Sequence, residues 1–310
     1  MHPRVHLMTS KDTPDAPLQR VGHGQYVETP DGEVYHTHLC SRPLPGTRLS
    51  PLGRETAIQK CVWRDDDWLY LESSEGGPMV ASVHVHAPNS QAVAEPAQPS
   101  HNTFTCSELP MDFQWLRTPY PARLFSLTGK ALRLHARESV GSWFEQSLVA
   151  RRQEHFVFRA ETELDFDPQT HQQLAGLTLY YNQFKYHAVG VTWHEVLGRC
   201  LTLVSCEANY PDAKPTHPLP ALIQLPAQGK IGLACEVDHG QLRLQYRIAN
   251  DWIDVGPVLD ASLISDEAGR GVHGSFTGAF VGMLAFDLSG GAQPADFYRF
   301  SYIPHNVAAS

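Results

Sequence analysis

Hydrophobic and polar positions alternate over two long stretches in the second half of the chain. Between residues 156 and 166, the even positions are mostly apolar and the odd positions are mostly charged. Between residues 241 and 248, the even positions hold Leu242, Leu244, Tyr246 and Ile248, while Gln and Arg alternate at the odd ones. A period of two predicts strands that pack one face on a core and turn the other toward water. Both stretches therefore indicate antiparallel sheet.

Similar patterns predict further strands, and no segment has a convincing helical period. These strands are predicted at residues 174–181, 186–192, 201–205, 231–237, 276–286 and 297–303. About a dozen strands within roughly 200 residues are typical of two stacked sheets. The predicted fold class is all-β, with a two-sheet, jelly-roll-like β-sandwich over residues 104–310.

Shorter strands are predicted in the first part of the chain. Residues 25–39 suggest a hairpin around the Asp31-Gly32 turn, and residues 55–63 and 68–71 suggest two more strands. Such short antiparallel strands are typical of a β-propeller blade. Residues 86–103 are rich in Pro, Ala, Ser and Gln, which predicts a linker. The predicted domains are therefore 1–85, the linker 86–103, and 104–310.

Charge and composition narrow the choice of partner. The 310 residues carry a formal net charge of −9 and contain no basic run, which argues against nucleic acid and anionic membranes and fits a neutral ligand such as a sugar. The chain starts without an apolar leader and contains no apolar run long enough to span a membrane. Six cysteines without C-x-x-C spacing suggest reduced thiols, so a cytoplasmic location is predicted.

Residues 51–63 contain a candidate binding residue, Arg54. Pro51 and Gly53 provide turn chemistry, and Arg54 stands where this turn becomes the strand predicted at 55–63. A guanidinium at that point is either a solvated charge on the rim or a fork of donors aimed into a cleft. The residues alone favour the solvated rim.

The sequence of residues 51–63 closely resembles a segment of the β-xylosidases of glycoside hydrolase family 43. Residues 108–117, 147–153 and 276–283 extend this resemblance. It implies a five-bladed β-propeller followed by a concanavalin-A-like β-sandwich. The resemblance covers nearly the whole chain but begins within the propeller, so it implies the last part of a propeller, here 1–85, and a complete sandwich.

The resemblance also has implications for catalysis. The family inverts configuration and uses an Asp base, an Asp that tunes the pKa, and a Glu acid, all earlier than the point matched by Met1. No motif here corresponds to them, so no catalytic residue is expected. The local acids Asp31, Glu33 and the run 65–67 are expected to be solvated, and Glu55 is read as a local partner of Arg54.

Three positions match family residues that line the xylose pocket, namely His23, Arg54 and Phe276. From the residues alone, His23 is also readable as a solvated loop histidine, and Phe276 as a core residue that opens a strand. No cofactor and no metal ligand set are predicted, although the family leaves open a divalent cation near His23.

Two histidine pairs give a weak metal signal. His36 and His38, and likewise His84 and His86, have the i, i+2 spacing that places two side chains on one strand face. Neither pair has a third ligand nearby in the sequence.

These observations predict a β-xylosidase-like glycoside hydrolase of xylan breakdown, present as a C-terminal part that is inactive alone. The predicted ligand is a xylo-oligosaccharide or a related pentose glycan. The predicted protein partner is an upstream propeller fragment or a second copy in a homo-oligomer. The alternative function is a non-catalytic carbohydrate-binding or assembly module, and a third hypothesis is an active hydrolase that uses Asp31 or Glu33.

Overall fold

The computed structural model describes residues 2–72, 97–208, 212, 214–269 and 276–305. Regular structure in these ranges is almost entirely β-strand, with two short 3-10 turns at 121–123 and 261–263. This confirms the predicted all-β class. Within the same ranges, no helix has the length and apolarity needed to cross a membrane.

Residues 19–71 form a four-stranded antiparallel meander in which each strand pairs with the next in sequence. Its tight first turn follows the predicted Asp-Gly signal, because Gly32 adopts φ +82° and the Thr29 amide donates to the Glu33 carbonyl at 2.8 Å. Buried apolar residues, including Met8 and Cys61, fill one face. This sheet is one propeller-type blade. Its strands are β1 (Gln19–Glu28), β2 (Val34–Ser41), β3 (Glu55–Trp63) and β4 (Leu69–Leu71).

The rest of the described chain forms two packed antiparallel sheets of nine and seven strands. The nine-stranded sheet contains β5 (Ser100–Asn102), β7 (Phe125–Leu127), β8 (Leu132–His135), β10 (Val157–Asp165), β15 (Ile231–Asp238), β16 (Gln241–Arg247), β17 (Ile253–Asp254), β18 (Leu259–Asp260) and β20 (Pro294–Pro304). The seven-stranded sheet contains β6 (Phe113–Trp115), β9 (Ser147–Arg152), β11 (Gln173–Asn182), β12 (Lys185–His194), β13 (Gly198–Glu207), β14 (Ile223–Gln224) and β19 (Phe280–Asp287).

The alternation in β10 has the predicted consequence for burial. Phe158, Ala160 and Leu164 are fully buried in the main core between the sheets, whereas Glu163 on the other face accepts from Lys230 at 3.1 Å. The side chains on the two inner faces supply the hydrophobic stabilisation of the sandwich. The strand predicted at 276–286 begins four residues later than predicted, at Phe280.

The predicted linker and the cysteines can be placed in part. Residues 86–96 lie outside the described residues, but Ser100–Asn102 pairs with β20, so the end of the predicted linker belongs to a sheet. All six cysteines lie in described ranges, and none of them forms a disulfide; Cys106 is exposed and the others are buried. The sandwich core therefore holds without covalent cross-links.

The blade and the sandwich meet along the loop that precedes β3. The Ala279 amide donates to the Pro51 carbonyl at 2.7 Å, and the Asp266 amide donates to the Ser50 carbonyl at 3.3 Å. Gly53 lies so close to Gly278 that a Cβ on either residue would come within 2.7 Å of backbone atoms of the other segment. Main-chain contacts between the two parts therefore position whatever side chains border this junction.

Candidate functional site

Arg54 lies at this junction and points into it. Its side chain is only 11% exposed, and its Nη1 donates to Asp266 Oδ2 at 2.9 Å. The residues alone favoured a solvated rim for this guanidinium, and burial shows that interpretation to be wrong. The resemblance implies instead that this guanidinium lines a sugar pocket, which stays a prediction.

Asp266 comes from the sandwich and is the partner that holds Arg54. Its side chain is 0% exposed. The Tyr181 hydroxyl donates to its other oxygen, Oδ1, at 2.5 Å, and the Gly278 amide donates to the same atom at 3.2 Å. Burial, together with the adjacent Asp266 carboxylate, raises the pKa of Tyr181 to about 12, so this hydroxyl keeps its proton at neutral pH.

Phe276 borders the same guanidinium. Its ring centroid lies 5.4 Å from the Arg54 Cζ atom, a cation–π distance, and the residue is 60% exposed. The reading of Phe276 as a core residue opening a strand is therefore wrong, because it precedes the strand and faces outward. Arg54 and Phe276 together present a charged donor group and an apolar ring at one place.

His23 is the third position that the resemblance places in the pocket, and that placement stays a prediction. It is an exposed residue of β1 at an irregularity in the pairing with β2, and it adopts φ +37°. Among the described residues, no hydrogen bond or ring contact joins its imidazole to Arg54 or Phe276. The described residues also contain no group of three or more His, Cys, Asp or Glu that could hold a metal ion. His23 therefore offers a cation one ligand rather than a complete set.

Of the two histidine pairs, only His36 and His38 lie in the described ranges. His84 and His86 lie outside the described residues. His36 and His38 stack with ring centroids 5.9 Å apart, and burial lowers the pKa of both imidazoles. In the part of the chain that the structure describes, these two imidazoles have no third ligand of the kind that a zinc-type site needs.

Three of the acids considered in the blade make structural contacts, and Glu33 is not simply solvated as expected. Glu33 accepts from Lys60 at 2.9 Å and from the Tyr35 hydroxyl at 2.8 Å. Glu55 was predicted to be the partner of Arg54, and this is wrong, because Glu55 forms an ion pair with Arg42 at 2.7 Å. Asp66 accepts from the Tyr70 hydroxyl at 2.6 Å, which lowers the pKa of this carboxyl. None of these contacts matches an acid–base pair across an open cleft.

Lys185 is hydrogen-bonded to the segment of the sandwich that carries Asp266. Its Nζ donates to the backbone carbonyls of Ser265 at 2.8 Å and Asp266 at 3.4 Å, and the residue is buried. Burial lowers the pKa of this amine to about 8, although the nearby Asp266 and Glu267 carboxylates oppose the shift.

This lowered pKa predicts a pH dependence of stability. Between about pH 8 and about pH 10.5, the unfolded chain keeps a proton that folded Lys185 has released, so raising the pH stabilises the folded state. The unfolding free energy of wild type minus that of Lys185→Met is expected to increase from about pH 7.5 to about pH 9.5. Urea unfolding at a series of pH values measures this difference. Lys130→Met, at an exposed turn, is the control, and a flat difference for Lys185→Met would show the prediction to be wrong.

Asp266 was not found by sequence reasoning. It lies 212 positions from Arg54 in a stretch without strand alternation, and no motif marks it. The distinguishing feature is that Ser265 and Asp266 follow the apolar residues Leu263 and Ile264 and are nevertheless buried. That feature becomes visible only in the folded protein.

Comparison with known proteins agrees with this architecture. Residues 1–107 match the family described as "Glycosyl hydrolases family 43", and residues 101–303 match "Beta xylosidase C-terminal Concanavalin A-like domain". The chain is 46% identical over 308 residues to "Xylosidase/arabinosidase 43B" of Humicola insolens, covering 98% of this chain and 56% of that protein. It is 39% identical over 320 residues to "Putative beta-xylosidase" of Escherichia coli (strain K12), covering 98% of this chain and 58% of that protein.

A solved structure shares the fold over almost the whole chain. The crystal structure titled as xylan beta-1,4-xylosidase from Bacillus halodurans C-125 superimposes with a TM-score of 0.89 at 36% identity, covering 97% of this chain and 56% of that one. The blade, the sandwich and their junction therefore define an all-β protein of the glycoside hydrolase class. The chain belongs to glycoside hydrolase family 43. It spans a little over half the length of the relatives it matches.

Proposed function

We propose that this chain supplies the sandwich and one wall of the pentose-binding pocket of a β-xylosidase-type enzyme of xylan breakdown. The observation that supports this most strongly is the Arg54–Asp266 ion pair at 2.9 Å, which joins blade to sandwich beside the exposed ring of Phe276. Relatives named for xylosidase and arabinosidase activities support a pentose glycan as the ligand.

The chemistry of the two side chains suits a sugar. A guanidinium presents several N–H donors in a fixed plane, which matches the vicinal hydroxyls of a pentose better than the point charge of a lysine does. An aromatic ring beside it offers an apolar surface on which the C–H face of a sugar ring can stack. Arg54 and Phe276 together supply both kinds of contact at one point.

The proposed role of the chain is binding without cleavage. Inverting hydrolysis needs an acid and a base roughly 6.5–9.5 Å apart across the scissile bond. In the described part of the chain, Glu33, Glu55 and Asp266 are each occupied by a cationic or hydroxyl partner. We propose that the catalytic carboxylates belong to propeller blades supplied by another segment, which makes an upstream propeller fragment the required partner.

Calorimetry with xylobiose tests this proposal. Wild type is expected to give saturable heat, and Arg54→Met is expected to weaken binding at least about tenfold, because charge-assisted hydrogen bonds to the sugar are lost. Arg42→Met is the matched control, since Arg42 forms an ion pair with Glu55 rather than lining the cleft. Absence of heat with wild type, or equal heat with Arg54→Met, would contradict the proposal.

A second candidate function is a carbohydrate-binding or assembly module, and one feature favours it. A groove of about 670 Å³ is bordered by Trp193 and His194 at the end of β12 and by His217 in the loop before β14. Xylobiose binding that survives Arg54→Met but is lost on Trp193→Ala would place the ligand in this groove and support the second function instead.

A further inference from the structure

Arg54 is held along one edge of its guanidinium. Nη1 donates to Asp266 Oδ2 at 2.9 Å, and the ring of Phe276 covers the cation at 5.4 Å from Cζ. The Nε atom is buried and has no hydrogen-bond partner among the described residues. A buried N–H donor without an acceptor costs free energy, so the contacts with Asp266 and Phe276 have to hold the guanidinium in this position.

Asp266 has little freedom to turn away from this contact. Oδ2 binds Arg54, whereas Oδ1 accepts from the Tyr181 hydroxyl at 2.5 Å and from the Gly278 amide at 3.2 Å. Both oxygens of a fully buried carboxylate are therefore occupied by donors that fix its plane. The orientation of Arg54 follows from that plane, because a guanidinium hydrogen bond to a carboxylate is directional.

The same carboxylate also fixes the wall residue. The Tyr181 hydroxyl, which donates to Asp266, accepts from the Thr277 amide at 3.1 Å, and the adjacent Gly278 amide donates to Asp266 directly. Arg152 donates to the Thr277 carbonyl from the other side. The two residues that follow Phe276 are thus tied to the group that orients Arg54.

We propose that Asp266 is a positioning residue for pentose recognition. It holds Arg54 by Nη1, and through Tyr181 and Gly278 it sets the position of Phe276 beside the guanidinium. The ligand class is a pentose glycan whose vicinal hydroxyls accept from the guanidinium. This inference rests on the proposed role of Arg54 in sugar binding, and it assigns control of that role to the sandwich rather than to the blade.

Substitution of Asp266 by Asn isolates the effect of the carboxylate. An amide retains the shape but provides one acceptor oxygen for the three donors that two carboxylate oxygens now serve. At least one of Arg54, Tyr181 and Gly278 must then lose its partner. Arg54 loses the charge assistance in any case, so its side chain is expected to become mobile.

The test uses the full chain labelled with ¹⁵N-arginine, with Arg54→Lys identifying the Arg54 Nε resonance. In wild type this group is expected to be rigid, and in Asp266→Asn its order parameter is expected to fall below about 0.6. The dissociation constant for xylobiose is expected to rise about tenfold in the same variant. Asp254→Asn, which alters an exposed ion pair with Arg243, is the control and should change neither quantity.

The outcomes separate this inference from the proposed function. If Arg54→Lys weakens binding while Asp266→Asn changes neither Arg54 order nor affinity, the inference is overturned and the proposed function stands. A loss of Arg54 order without loss of affinity also overturns it. If wild type does not bind xylobiose, the proposed function fails, and the inference that rests on it is overturned with it. If Asp266→Asn does not fold, Tyr181→Phe decides it: unchanged Arg54 order and affinity there would overturn the inference.

Discussion

Replacing Gly278 by alanine is expected to lower the free energy of unfolding by about 2–5 kcal/mol, the sum of positive-φ strain and forced overpacking. Gly278 adopts φ +77°, and a Cβ placed on it would lie 2.6 Å from the carbonyl carbon and oxygen of Leu52. These are backbone atoms of the blade, held by the Ala279–Pro51 hydrogen bond at 2.7 Å, so they cannot rotate away. The junction itself has to open.

Gly32→Ala separates the two components of this effect. Gly32 also has a positive φ, +82°, but a Cβ there would meet no heavy atom within 4 Å. Only the backbone strain applies, which predicts a loss of about 1–2 kcal/mol. Urea unfolding followed by tryptophan fluorescence measures both variants. Equal losses for Gly278→Ala and Gly32→Ala would show that the blade and the sandwich are not in contact at this point.

Asp266→Ala is expected to destabilise the protein by about 3–5 kcal/mol, because it leaves a buried cation without its partner. The guanidinium of Arg54 loses its carboxylate, and the Tyr181 hydroxyl and the Gly278 amide lose their acceptor. Adding Arg54→Met to this variant should restore part of the loss, since the unpaired charge is then removed as well.

The exposed pair Asp254–Arg243 provides the comparison for this prediction. Its side chains are about half exposed, and its atoms lie 3.0 Å apart. Solvent screening limits such a pair to about 0–1 kcal/mol, so Asp254→Ala should have a small effect. Thermal and urea unfolding report both variants. A loss below about 1 kcal/mol for Asp266→Ala would indicate that the junction is hydrated and that the ion pair contributes little.

The sandwich could be predicted well from the sequence because its signal is local. In β10, one buried side chain at every second position is enough to indicate a half-buried strand, and Phe158, Ala160 and Leu164 are buried as expected. The start of β19 could not be predicted in this way. Residues 276–279 continue an apolar run, but they lie against the loop at Pro51, a contact that alternation does not encode.

The candidate site was predicted in part. The turn chemistry around Gly53 located Arg54 at the start of β3. The predicted pairing of Arg54 with Glu55 was wrong, because successive residues of a strand point to opposite faces. Glu55 pairs with Arg42 instead. Asp266 could not have been predicted, since a contact across 212 residues depends on how the blade docks on the sandwich. Local patterns indicate elements, whereas the site depends on packing between them.

The most direct measurement is the release of 4-nitrophenol from 4-nitrophenyl β-D-xyloside by the purified chain. If the chain binds without cleaving, as proposed, it should release none above the rate of its Arg54→Met variant. Turnover by wild type that disappears in Asp31→Asn or Glu33→Gln would contradict binding without cleavage and would assign catalysis to this chain.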